Sequence, residues 1–316
     1  MENKPAFGIY IHWPFCAKKC PYCDFNSHVR ESIDQKKWLK AYLNELRYYA
    51  KETSARVVTS IFFGGGTPSL MNPSIIEAIL AEIQSLWPCS KTIEITAEAN
   101  PSSSEAQLFK DFHQAGINRL SIGVQSFNDL SLQFLGRLHD AGEAQKAIQA
   151  AAKTFERFSF DLIYALPTQT PTVWREELGH ALKLAATHLS LYQLTIEPGT
   201  EFHKTRVAAA DEDTGTELYE ITQEMMDNAG LPAYEISNHA KLGAESRHNL
   251  VYWRGQDYLG IGPGAHGRLT HGFAAEMMHN YREPEKWLEL ATSKGSGQQK
   301  RGPLDEDARR DEIILM

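Results

Sequence analysis

Tyr10-Ile11-His12-Trp13-Pro14-Phe15-Cys16-Ala17-Lys18-Lys19-Cys20-Pro21-Tyr22-Cys23-Asp24-Phe25 places three cysteines in the spacing C-x3-C-x2-C, directly after an apolar run, Phe7 to His12, that reads as a β-strand. Four cysteines in 316 residues are too few for a disulfide scaffold. Three of them within one short loop read as metal binding or redox chemistry. Thiolates are the usual ligands of iron–sulfur clusters, and a [4Fe–4S] cubane normally takes four. Three from one loop leave one iron open, as a reactive metal centre requires. A zinc ion with His12 or His28 as fourth ligand, or a set of buried thiols, are the competing readings, and the spacing alone does not choose. Cys89, in Trp87-Pro88-Cys89-Ser90, reads as a plain thiol.

Outward from this loop, short β-branched and aromatic runs alternate with helical patterns. Strands are expected at Phe7 to His12, Val57 to Phe63, Thr92 to Ala97, Arg119 to Val124, Phe158 to Tyr164 and His188 to Leu194. Helices are expected at Ile33 to Lys51, Pro73 to Leu86, Ser104 to Ala115, Asn128 to Leu135, Gly142 to Thr154, Pro171 to Ala186 and about Asp213 to Asn228. Such alternation implies parallel strands joined by right-handed crossovers, either an open doubly wound sheet or a partial barrel. Past Gly230 the regularity fades. Tyr234 to Ser237, Leu250 to Trp253 and Tyr258 to Ile261 read as short strands, and Ser293 to Pro303 as a mobile loop. A core over residues 1–230 and a smaller C-terminal region over 231–316 are expected. Asp311 to Met316 reads as the start of a helix that breaks off, so the chain is expected to be incomplete.

The formal net charge of −8 offers no basic excess to neutralise phosphates, which argues against nucleic acid as a partner. No apolar run approaches a membrane span, and Met1 to Pro5 lacks a secretion signal, so a cytoplasmic protein is expected.

Polar residues recur where strands end. Gly64-Gly65-Gly66-Thr67-Pro68 closes the second strand, and a glycine triplet lets backbone approach a ligand closely. Glu98 ends the third strand, Gln125 the fourth, Arg137 follows, and Asp161 lies in the fifth. Each singly could be a solvated charge or a buried pair, such as Arg137 with Asp161. Together they converge on one mouth, where barrel enzymes place their sites.

The cysteine loop and glycine triplet resemble those of the radical S-adenosylmethionine superfamily, over essentially the whole chain. The resemblance implies an α/β fold, a partial (β/α)6 TIM-like barrel of the radical SAM type. It also implies a [4Fe–4S] cluster on Cys16, Cys20 and Cys23, whose open iron chelates S-adenosylmethionine and donates the electron that yields a 5′-deoxyadenosyl radical. Tyr10, Gly65, Gly66, Thr67, Glu98, Gln125, Arg137 and Asp161 are implied as contacts of S-adenosylmethionine, with Glu98 on a ribose or amino group and Arg137 on a carboxylate.

Within that superfamily the chain is similar to the heme chaperones related to oxygen-independent coproporphyrinogen III oxidase. The oxidases resemble C-x3-C-x2-C-x-C; here Phe25 takes the place of the last cysteine, and only fifteen residues precede Cys16. His248-Asn249-Leu250-Val251-Tyr252-Trp253 matches the H-N-x-x-Y-W pattern associated with heme in the chaperones. An imidazole can ligate heme iron, and aromatic rings can cover a porphyrin face. From physics alone, His248 and Asn249 would bond a turn and the aromatics would be core; the resemblance favours His248 as a heme contact. Gly260 to Gly267 is a backbone-permissive loop expected to close the mouth, with His266 a weaker heme or cofactor candidate. The resemblance implies heme delivery to respiratory hemoproteins and a cluster-promoted homodimer. The alternative is a radical enzyme that decarboxylates a tetrapyrrole side chain; the residues leave open whether any radical chemistry is used.

Overall fold

A computed structural model describes residues 5–102, 106–272 and 274–304, together with 307 and 310. The expected helix start at 311–316 lies outside the described residues, as do positions 104 and 105 at the head of the expected third helix.

The six expected strands form. They are β1 (Phe7–Trp13), β2 (Val58–Gly65), β3 (Cys89–Ala99), β4 (Arg119–Gln125), β5 (Arg157–Tyr164) and β6 (His188–Gln193). Neighbours pair in parallel in this order. Nearly every residue of β1 is buried, as expected of a strand covered on both faces. The intervening helices α1 (Gln35–Thr53), α2 (Pro73–Leu86), α3 (Phe109–Gln114), α4 (Asp129–Phe134), α5 (Ala141–Thr154), α6 (Pro171–Leu184) and α7 (Glu212–Asn228) cover the outer face. Their starts are written locally. Asn72 caps α2 with Pro73 in its first turn, and Asp140 and Glu143 form a reciprocal capping box on α5.

The sheet is larger than six strands and does not close on itself. β7 (Asn238–Ala240) adds antiparallel to β6. On the other side, β8 (Asp257–Ile261) pairs parallel to β1, and β9 (His266–His271), β10 (Ala274–Asn280) and β11 (Gln298–Leu304) continue as an antiparallel meander. The order is β11-β10-β9-β8-β1-β2-β3-β4-β5-β6-β7. Residues on both sides of position 230 therefore share one sheet.

Three expectations for the C-terminal region are corrected. Leu250 to Trp253 is not a strand but the second half of helix α8 (Arg247–Trp253), capped by Ser246, whose Oγ accepts from the Asn249 N–H. Ser293 to Pro303 is not a loop: it spans the end of helix α9 (Pro284–Lys294) and most of β11. The strand expected at Tyr234 to Ser237 begins instead at Asn238.

α8 lies across the floor of the barrel, at the N-terminal ends of the strands. Glu94, buried near the middle of β3, accepts from the His248 N–H at 3.2 Å and bonds Ser246 Oγ at 3.5 Å. It also forms an ion pair with Arg157 at 2.7 Å. A carboxylate at a helix N-terminus is favoured by the unpaired N–H groups there.

Among the described residues, no helix is long and apolar enough to cross a membrane.

Candidate functional site

The cysteine loop is held at both ends by backbone. Phe15–Cys16 pairs with His28–Val29. The N–H groups of Gly66 and Thr67 donate to the carbonyls of Trp13 and Phe15 at 2.7 and 2.8 Å. A Cβ at position 66 would stand 2.6 Å from the Phe15 carbonyl oxygen, so glycine is what lets the two loops touch. In the middle, the Cys23 N–H donates to the Cys20 carbonyl at 3.1 Å, and the Pro21 carbonyl accepts from the Phe202 N–H at 2.9 Å. Gly136, at φ +69°, lies against the Pro21 ring.

This frame brings Cys16, Cys20 and Cys23 to one wall of a cavity of about 360 Å³ at the C-terminal mouth of the strands. Gly65, Gly66, Thr67, Glu98, Gln125, Arg137 and Asp161 line the same cavity. Seven residues scattered from position 65 to position 161 thus meet the three thiols, as the strand-end rule requires. Tyr10 faces two neighbouring cavities rather than this one, and its hydroxyl bonds His12 Nδ1 at 3.0 Å. Asn100, not singled out in the sequence, links Thr67 to Arg137: its Nδ2 donates to Thr67 Oγ1 at 3.3 Å, and its Oδ1 accepts from Arg137 at 2.6 Å. Its position two residues after Glu98 was the available signal.

The cavity sets two carboxyl groups, Glu98 and Asp161, and the Arg137 guanidinium around one space. Glu98 accepts the Gly65 N–H at 3.1 Å; burial, reinforced by the negative charge of Asp161, pushes it up to about 8. Burial also raises Asp161 to about 6, against the pull of Ser190 and Arg119. A cationic ligand group beside them would favour the charged form of both acids. Arg137 does not pair with Asp161; it donates to Cys20 Sγ, Asn100 Oδ1 and the Gly123 carbonyl. Burial pushes the Cys16 and Cys23 thiols up, so a bound metal would be displacing their protons.

The donor set discriminates between the metal readings. A zinc site gathers four donors around one ion. His12 is already bonded at both ring nitrogens, to Tyr10 and to the Asn26 carbonyl, and His28 bonds Asn26 Oδ1. Among the described residues, no three metal-ligating side chains gather closely enough for one ion. Three thiols on one wall suit a cluster in which each takes its own iron. Two of the residues that line this space each carry a buried polar atom without a hydrogen-bond partner, Gln125 Oε1 and Arg137 Nε. Gln125 also holds φ +73°, which a non-glycine residue rarely adopts and which clusters at ligand sites. The residues fit a thiolate-held cluster with a zwitterionic ligand beside it.

Comparison with known proteins agrees with this geometry. The model of the radical SAM superfamily matches residues 10–181. The chain is 43% identical over 276 residues to heme chaperone HemW of Haemophilus influenzae, covering 85% of this chain and 72% of that protein. The Escherichia coli heme chaperone HemW is 42% identical at the same coverage. The chain belongs to the radical SAM superfamily, in the family of heme chaperone HemW. It is also 37% identical over 98% of its length to the mitochondrial radical S-adenosyl methionine domain-containing protein 1 of Bos taurus, covering 72% of that protein. Among solved structures, coproporphyrinogen III oxidase (HemN) of Escherichia coli superposes with a TM-score of 0.83 at 21% identity, covering 99% of this chain and 75% of that one. This radical SAM family carries a [4Fe–4S] cluster and S-adenosylmethionine.

The structure does not bring His248 to this mouth. It sits in the barrel floor, 1% exposed, stacked on Phe62. Its Nδ1 bonds Ser60 Oγ at 3.0 Å and its Nε2 bonds Tyr252 OH at 2.8 Å. Burial alone pushes its imidazole down to about 3. Both ring nitrogens are hydrogen-bonded within the fold, and the ring borders a third cavity that also takes in Glu98 and Asp161.

Proposed function

We propose that this protein is a heme chaperone that holds a [4Fe–4S] cluster on Cys16, Cys20 and Cys23, takes S-adenosylmethionine in the cavity beside it, and delivers heme to respiratory hemoproteins from the cytoplasm. The observation that carries the reading is the 43% identity to a heme chaperone over 85% of the chain. When bound, the cluster supplies an open iron for the amino and carboxylate groups of S-adenosylmethionine and an electron for its cleavage. The protein's own part is orientation. Gly65 and Gly66 let backbone lie against the ligand, and Thr67 and Asn100 fix the strand end beside it. Arg137 stands where a carboxylate would be neutralised. Glu98 and Asp161 offer acceptors to an amino or ribose group, and Gln125 an acceptor that the fold leaves unfilled. Tyr10 supports the site through His12.

Phe25, exposed where the oxidases resemble cysteine, favours the chaperone over oxidative decarboxylation of a tetrapyrrole. The test is anaerobic reconstitution followed by heme titration and by transfer of bound heme to a heme-free cytochrome. Stoichiometric binding and transfer without formation of 5′-deoxyadenosine support a carrier. Absence of heme binding removes the chaperone reading, and conversion of coproporphyrinogen would establish the enzyme. Sizing the protein with and without its cluster tests the expected homodimer.

A further inference from the structure

Asn26 follows Cys23 by three residues, yet its side chain serves a distant part of the fold. Phe25 and Ser27, on either side of it, line the cluster cavity; Asn26 does not. Its Nδ2 donates to two carbonyls of the β8–β11 extension, that of Pro263 at 3.0 Å and that of Arg282 at 2.9 Å. Pro263 lies between β8 and β9, and Arg282 between β10 and α9. These partners stand 237 and 256 positions away in sequence. Carbonyls can only accept, so the NH2 group must face them, and both of its protons are used. The Oδ1 that remains bonds His28 Nε2 at 3.2 Å, and the Asn26 carbonyl bonds His12 Nε2 at 2.9 Å.

The clasp is equally tight from the other side. Gly264, at φ +77°, brings the extension so close that a Cβ there would stand 2.6 Å from Asn26 Nδ2. The amide cannot swing aside without giving up its two bonds. Gly66 and Thr67 hold the first half of the cysteine loop, and Phe202 holds its middle. The Cys23 end meets the barrel at His12 and the extension at Asn26. A further tie to the extension, the Arg30–Glu285 ion pair at 2.7 Å, has both side chains exposed, and such pairs contribute little. Ser27 carries the clasp back toward the metal site: it is buried, and its Oγ lies 3.9 Å from Cys23 Sγ.

We infer that Asn26 is a positioning residue for the cluster: by clasping the β8–β11 extension it fixes the Cys23 end of the cysteine loop, so that the extension as well as the barrel keeps the three thiolates in place. With three protein ligands rather than four, the cluster depends on each thiolate staying where it is. Asn26 acts through Ser27 and the loop backbone, without touching the metal site. The inference rests on the reading of Cys16, Cys20 and Cys23 as cluster ligands.

The experiment uses the full chain after anaerobic reconstitution. It follows the release of iron to a chelator and the electron paramagnetic resonance spectrum of the reduced cluster, which a role confined to general stability would not move. It compares wild type, Asn26→Ala, Asn26→Asp, Gly264→Ala and Glu285→Ala. Asn26→Ala is expected to take up the cluster, to release iron several-fold faster than wild type and to show a shifted spectrum. Asn26→Asp is expected to release it faster still, because its carboxylate would face two carbonyl oxygens with no proton to offer. Gly264→Ala, which presses on the amide from the extension, is expected to speed release in the same direction. Glu285→Ala, which breaks only the surface ion pair, is expected to match wild type. Wild-type iron release and a wild-type spectrum in both Asn26 variants overturn the inference, whatever their urea unfolding midpoints, and leave the cluster reading standing. Acceleration in Glu285→Ala equal to that in Asn26→Ala overturns it as well, since the effect would then follow from loosening the extension anywhere. Failure of wild type to assemble a cluster removes the cluster reading and this inference with it.

Discussion

Arg137 reaches back across 117 positions of sequence to donate from Nη1 to the sulfur of Cys20, 3.3 Å away. The same guanidinium holds Asn100 and the Gly123 carbonyl, so one side chain ties the cysteine loop to the ends of β3 and β4. A cation beside a coordinating thiolate makes reduction of a cluster easier, because it offsets the added negative charge. Arg137→Leu should therefore lower the reduction potential of the reconstituted cluster. It should also weaken S-adenosylmethionine binding by about tenfold or more, the usual size of losing a charge-assisted contact. Redox titration followed by electron paramagnetic resonance checks the first, equilibrium dialysis the second. An unchanged potential would mean that the contact serves packing alone.

Gly66 gives a sharper steric prediction. In Gly66→Ala the new methyl would lie 2.6 Å from the Phe15 carbonyl oxygen and 2.9 Å from its carbonyl carbon, both backbone atoms that cannot swing aside. The cysteine loop and the glycine loop must separate. Overpacking of this kind costs roughly 1–3 kcal/mol, and cluster content on reconstitution should fall with it. Gly302→Ala is the control, since a Cβ there meets nothing within 4 Å. Thermal unfolding and iron and sulfide assays on both variants decide; equal behaviour would contradict the steric account.

Much of this architecture is legible in the sequence because it is written locally. Strand–helix alternation follows from hydrophobic period, and strand ends collect the polar residues that parallel topology forces to one mouth. Thus Cys16, Glu98, Gln125, Arg137 and Asp161 can be grouped from their positions in the chain. α8 reads as a strand because Leu250, Val251, Tyr252 and Trp253 are dominated by residues of high β propensity, while the cap that starts the helix, Ser246, lies outside that run. β11 reads as a loop because its Gly, Ser, Gln and Lys describe one by composition. Yet a sheet edge needs only backbone partners, which β10 provides, and Pro303 is tolerated there. The stacking of His266 on His279 depends on a strand register that no local pattern specifies.

Glu45 illustrates a role hidden from sequence. It is a fully buried carboxylate within helix α1, and it accepts five hydrogen bonds, from Gly262, Asn280, Trp287, Ser296 and Gly297. All five donors belong to the C-terminal region, so this one side chain clamps the β8–β11 extension to the core. Glu45→Ala would strand them and should destabilise the protein by at least about 3 kcal/mol, since each buried unsatisfied donor costs about 1–3 kcal/mol. Glu45→Gln keeps one acceptor and should lose less. Urea unfolding measures both. A loss in Glu45→Ala below about 1 kcal/mol would show that water replaces the carboxylate without penalty.

The floor histidine makes acid stability the last test. Burial holds His248 at about 3 in the folded protein, against an ordinary value of 6.5. No charged partner compensates: its ring meets Ser60, Tyr252, Tyr10 and Phe62. The folded state thus refuses a proton that the unfolded chain accepts. Above about pH 6.5 neither form is charged and the effect vanishes; as pH falls from there toward 3, the unfolded chain gains protons and stability is lost. His12, His139 and His239 are depressed by burial in the same direction, so the wild type should weaken steeply in acid. His248→Gln removes one share of that slope while retaining a polar side chain for Ser60 and Tyr252. Between pH 7 and pH 5 its stability should fall by roughly 1–2 kcal/mol less than that of wild type, because each pH unit over which only the unfolded imidazole is protonated costs about 1.4 kcal/mol. Equilibrium urea unfolding at the two pH values gives the difference. Parallel pH dependence in the two proteins would mean that His248 accepts a proton in the folded state, and hence that the barrel floor opens to water.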